Sequence, residues 1–177
     1  MREQITSAAG NSGNARHADH LLAAEGYLDL GMYREAGLEL QELEPACFAL
    51  EDTLVLQLCV YAGLKQWKFA HELATTLAEQ DPDNPQWTIW AASATCRLQS
   101  VEAAKGILLK ALVTHPDNAN IHYNLSCYET RLNHFRKAHR HLARAIQLDP
   151  RFRAVAMDDS DLEPLWEIVS AAATSDD

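Results

Sequence analysis

Apolar residues recur every three or four positions along most of the chain, as in the series Phe135, Ala138, Leu142 and Ala145. That is the period of a helix with one stripe to bury. Only 7 Gly and 6 Pro punctuate the 177 residues. Ala, Leu, Glu and Gln fill most of the stretches between them, and no β-branched run offers a buried strand. The pattern predicts an all-α chain.

The punctuation is itself periodic. Asp81-Pro82, His115-Pro116 and Asp149-Pro150 fall 34 residues apart, each a few residues after an apolar-periodic segment. Twelve positions before these prolines stand Ala70, Ala104 and Ala138, and Ala36 lies one further step of 34 upstream. A small residue recurring there fits two helices that cross closely, because a larger group would push the backbones apart. The step divides the chain into four helix pairs, 17–50, 51–84, 85–118 and 119–152.

The order of residues within these units resembles the tetratricopeptide repeat (TPR) family. The fourth unit carries Tyr123, Asn124 and Leu125, then Asn133, Phe135, Ala138, Leu142, Ala145 and Pro150; the first carries Tyr27, Leu30, Gly31, Tyr33, Glu35 and Ala36. His20, Leu54, Thr88 and His122 replace the family's early Trp, and Pro45 arrives three residues early in the first unit. The stretch from Tyr123 through Trp166 is similar to uncharacterised bacterial TPR proteins. The resemblance implies a right-handed α-α superhelix of about four helix-turn-helix repeats. Stacked pairs need a closed end, and Asp158-Asp159-Ser160-Asp161 offers N-caps to a capping helix bearing Leu162, Leu165, Trp166, Ile168 and Val169, within a segment 153–177 that ends in a short acidic tail. Residues 1–16, with Gly10-Asn11-Ser12-Gly13-Asn14, read as a flexible tail.

The resemblance also implies that the first helix of each pair lines a concave groove. Carried over, this points to Leu56 and Cys59, then Gln86, Ile89, Trp90 and Arg97, then Tyr123, Asn124, Cys127 and Arg131. Such a surface suits a peptide or amphipathic helix with apolar anchors. Ile89 equally fits packing between helices, whereas Trp90, Tyr123 and Asn124 stand out as contacts. The clamp by which one subgroup grips acidic C-terminal tails is not matched: Leu21, Glu25, Leu56, Gln86 and Trp90 occupy its positions.

Other constellations carry less. The basic run His134, Arg136, Lys137, His139, Arg140, His141 and Arg144 reads as a solvated outer helix face, with grip on an acidic partner or RNA as the alternatives. His17 and His20 share a helical spacing but lack a third metal ligand. Trp67 and Trp166 read as structural; Trp87 and Trp90 lie one turn apart, as anchor or core. Cys47, Cys59, Cys96 and Cys127 form no CxxC pair. No phosphate loop, nucleophile elbow, zinc-protease motif or dinucleotide fingerprint appears, so no enzyme and no cofactor is expected.

Charge narrows the partners. With 15 basic and 25 acidic residues the net charge is -10, which repels nucleic acid and anionic membranes. Without a secretory or membrane-spanning stretch, a cytoplasmic protein is expected. The leading reading is a protein-interaction module or adaptor; the alternatives are a secretion-type chaperone for one client and a homo-oligomer that self-associates through its tail or cap.

Overall fold

The computed structural model describes residues 3–166, and side chains from residue 16 onward. Every regular element among them is helical: α1 (Glu3–Asp29), α2 (Tyr33–Gln41), a 3-10 turn (Pro45–Cys47), α3 (Glu51–Gly63), α4 (Trp67–Gln80), α5 (Pro85–Leu98), α6 (Val101–Thr114), α7 (Ala119–Arg131), α8 (Phe135–Leu148), α9 (Phe152–Asp158) and a second 3-10 segment (Ser160–Leu165). The chain divides into two compact units, 1–70 and 71–177, with the division inside α4.

The turn within each helix pair shows how the sequence builds the repeat. Gly31, Lys65 and Asn133 all have positive φ, at 70°, 57° and 59°, and they occupy one register of the 34-residue step. Each ends a helix with the same two backbone bonds. Met32 N–H donates to Tyr27 O at 2.8 Å and Gly31 N–H to Leu28 O at 2.9 Å; Gln66 and Lys65 repeat this onto Tyr61 and Ala62, and His134 and Asn133 onto Glu129 and Thr130. This left-handed cap satisfies carbonyls that the helix end would otherwise leave open. The third pair turns differently: Gln99 has φ -124°, and Ser100 caps α6 by accepting from Ala103 N–H at 3.1 Å. Between pairs, Asn84 caps α5 ahead of Pro85, and Asn118 caps α7 by accepting from Ile121 N–H at 2.9 Å.

In the first unit, Ala24, Ala36, Leu40, Leu43, Leu56 and Val60 form the core, with Tyr27 and Leu28 packed beside them. Gly63 sits so close to Tyr33 that an added Cβ would lie 2.1 Å from the ring. The second unit has two cores. One joins Ile89, Ala92, Ala104, Leu108, Ala111, Ile121, Leu125 and Tyr128; the other joins Cys127, Ala138, Leu142, Ala156, Leu162 and Leu165.

Two expected boundaries differ. The backbone is helical from Glu3, through the stretch expected as a tail, because no proline interrupts it before Pro45. A separate helix, α9, precedes the expected cap, and the cap's described part is a 3-10 segment containing Pro164, which cannot donate into an α-helical ladder. Ile168, Val169 and the acidic tail lie outside the described residues.

Lys65 is the non-glycine residue with the least local help in its left-handed conformation, since Asn133 has a side chain suited to it. Lys65→Gly is therefore expected to raise stability by about 1 kcal/mol, measured as a higher urea midpoint with unchanged slope. An unchanged or lower midpoint would show that Lys65 is unstrained.

Candidate functional site

The residues singled out from the sequence fall into three environments. Leu56 and Ile89 are core side chains, each 8 % exposed, in the first and second unit respectively. Cys59 is a half-buried thiol of the first unit, its pKa raised by burial. The others lie in the second unit and form two rows.

On α5, Gln86, Trp90 and Arg97 share one side of the helix, since positions four and eleven apart return to nearly the same direction. On α7, Asn124 and Arg131 do the same. The rows are tied together by Arg131 Nη1, which donates to Cys96 Sγ at 3.1 Å. Tyr128, whose pKa is pushed up to about 12 chiefly by burial, also meets Ser93 of α5. Asn124 Nδ2 donates to Asn120 O at 2.9 Å, and Gln86 is half-buried. Trp87 is buried in the core, but Trp90 is only partly so, and its Nε1–H is enclosed without an acceptor among the described residues. Arg97 and Arg131 are exposed.

Tyr123 and Cys127 have a different setting, because the chain's own later segment covers them. The Tyr123 ring stacks on Phe152 of α9 at 4.8 Å, and its hydroxyl donates to Asp159 Oδ2 at 2.6 Å. Cys127 Sγ points at the same oxygen from 3.6 Å. Asp159 Oδ1 accepts from Asp161 N–H at 2.9 Å and so caps the 3-10 segment. One carboxylate thus starts the closing segment and fastens it to α7. Burial, then the nearby Asp159, raises the pKa of both Tyr123 and Cys127, keeping the phenol and thiol protonated. Trp166 Nε1 donates to Ala156 O at 2.8 Å.

Two further polar clusters were not apparent in the sequence, because each joins residues from different helices. Glu129 is 3 % exposed and takes His134 Nδ1 at 2.6 Å and Lys105 Nζ at 3.5 Å. Burial alone would raise its pKa, but the His134 hydrogen bond and the Lys105 charge outweigh it and hold the carboxyl below its ordinary value. His122, at the family's early Trp position, meets Pro116 O through Nε2 at 3.0 Å and His141 Nδ1 through Nδ1 at 3.0 Å. A carbonyl only accepts, so Nε2 carries the hydrogen of neutral His122, and His141 must donate to the bare Nδ1. Burial, then His122, lowers the pKa of His141.

Metal binding gains no ligand set: among the described residues no group of three His, Cys, Asp or Glu side chains is arranged to hold an ion. His20 instead pairs with Glu39 at 2.8 Å. No described helix is long and apolar enough to cross a membrane.

These helix pairs, with their 34-residue register and recurring left-handed caps, define a TPR-type fold. Solved structures agree. The thermophilic TPR protein TTC0263 of Thermus thermophilus has a TM-score of 0.69 at 20 % identity, over 85 % of this chain and 81 % of that one. MamA AMB-1 scores 0.52 at 18 % identity, over 89 % and 98 %, and MamA MSR-1 scores 0.53 at 18 %, over 92 % and 99 %. At these identities the likeness is one of fold. No family model and no curated protein matches the sequence.

Two outcomes are expected. Asp159→Ala removes a cap and leaves the half-buried Tyr123 hydroxyl and the buried Cys127 thiol without their acceptor, so it should cost about 1–3 kcal/mol in urea unfolding. In a background with Cys47, Cys59 and Cys96 changed to Ser, it should also speed maleimide labelling of Cys127; an unaltered labelling rate would mean that Asp159 does not hold the segment down. For His141, a lowered folded pKa means that the unfolded chain binds more protons, so stability rises with pH. The contribution is complete above the ordinary value of 6.5 and is lost as pH falls through the folded value. Urea midpoints at pH 7.5 and 5.5 should differ less in His141→Gln than in the wild type.

Proposed function

We propose that this chain is a non-enzymatic protein-interaction module that holds a peptide or helix of a partner along the α5–α7 face of its second unit. The TPR-type fold supports an interaction role in general terms. The observation that carries the specific reading is the Trp90 side chain, a large aromatic left only half-buried on the row that also presents Gln86 and Arg97.

Around Trp90 the chemistry suits a peptide. An aromatic anchor is flanked by amide side chains that adapt to backbone groups, with Arg131 at the margin for a carboxylate. Asn124 bonds Asn120 through Nδ2, and its side-chain oxygen has no partner among the described residues. Leu56 and Ile89 support helix packing in this reading, and Tyr123 and Cys127 bound the face where the closing segment begins. Cys59 belongs to the first unit and is not needed for it.

Affinity capture from cells with wild type, Trp90→Ala and Trp90→Phe tests the reading. Trp90→Phe retains most of the ring's packing and removes the N–H. Partner recovery should fall about tenfold or more for Trp90→Ala and to an intermediate level for Trp90→Phe, with unchanged helical circular dichroism. Equal recovery from all three proteins would exclude this face.

A further inference from the structure

α8 buries Ala138, Leu142 and Ala145 and turns its opposite side outward. On that outer side Phe135 and His139 make one row and Arg136 and Arg140 the next, each pair one helical turn apart. Phe135 is 42 % exposed, and Arg136, His139 and Arg140 are exposed beside it. Together they line a concavity of about 610 Å3. Ala143, also exposed, keeps the adjoining surface low.

The cations here differ from their neighbour one turn on. Arg144 is engaged by Asp117 and Gln147, whereas Arg136, Lys137 and Arg140 pair with no carboxylate among the described residues. Acidic side chains are not scarce in a chain with 25 of them and a net charge of -10. The unpaired positive charge is therefore local, and it is concentrated around an exposed aromatic ring.

We propose that this outer face of α8 is a second docking surface, which takes a short acidic segment of a partner protein. Its carboxylates meet Arg136 and Arg140, whose planar guanidinium groups accept a carboxylate fork, and an apolar residue of the segment covers Phe135. A peptide fits better than nucleic acid. It brings few charges into the field of a strongly anionic protein, and Phe135 alone does not provide the successive stacking platforms that single strands use. The surface is separate from the α5–α7 face, so neither proposal depends on the other.

The test uses the full chain and a fluorescein-labelled dodecapeptide with a few Asp and Glu, one Leu and one Phe among Gly and Ser, read by anisotropy at about 50 mM salt. The control peptide carries Asn and Gln in place of the acids. The acidic peptide should bind saturably and weaken as salt is raised to about 300 mM. R136E/R140E should lose about tenfold or more in affinity and Phe135→Ala about threefold or more. Trp90→Ala should bind as the wild type does, which separates failure here from failure of the α5–α7 reading. Phe135, Arg136 and Arg140 are exposed, and circular dichroism checks that the variants remain folded. The proposal is overturned by no binding, by equal binding of the control peptide, by undiminished affinity in R136E/R140E, or by a labelled oligouridylate binding in preference to the peptide.

Discussion

Two antiparallel helices can share a core only as closely as their smallest facing residues allow, and here that limit is set by alanine. Ala36, Ala104 and Ala138 are fully buried and Ala70 is 1 % exposed. At such positions the backbones themselves come into reach, and the larger side chains on either side interlock over the crossing. Ala104 stands among Leu108, Ile121 and Leu125, and Ala138 beside Leu142 and Cys127. The tight turns follow from the same requirement. A pair crossing this closely leaves few residues to reverse direction, and the left-handed Gly31, Lys65 and Asn133 accomplish the reversal while satisfying the helix ends.

Close crossing also brings polar side chains together in partly buried places, and the second unit pairs three such groups. Glu129 is flanked by cationic partners, His122 and His141 share one hydrogen under a carbonyl, and Asp159 gathers a phenol, a thiol and a backbone N–H. Such groups are costly when one member is missing. They therefore fix which helices neighbour one another more sharply than the apolar contacts, in which one methyl group can substitute for another.

Much of this architecture was legible in the sequence because it is local or strictly periodic. The helix pairs depend on apolar residues only a few positions apart, and the alanine step on a fixed period of 34. The candidate face was legible in part. Helical phase places Gln86, Trp90 and Arg97 on one side of α5, but phase does not say what lies over a side. Tyr123 and Cys127 bond to Asp159, 36 and 32 residues further on. No local pattern announces a partner at that distance. α9 is hidden for a related reason: its seven residues are too few to show a full apolar stripe, and it is held by its contacts with α8 and the 3-10 segment.

The fastening at Asp159 has a consequence for how a repeat protein can grow. In a stack of identical pairs, the last pair presents a surface on which another pair, or the first pair of another molecule, can be laid down. Here that surface is occupied by the chain's own Phe152, Leu162 and Leu165, and a single side chain acts as the latch. The fourth pair is thus a terminus by construction: lengthening the array at this end, by gene duplication or by polymerisation, requires the latch to open first.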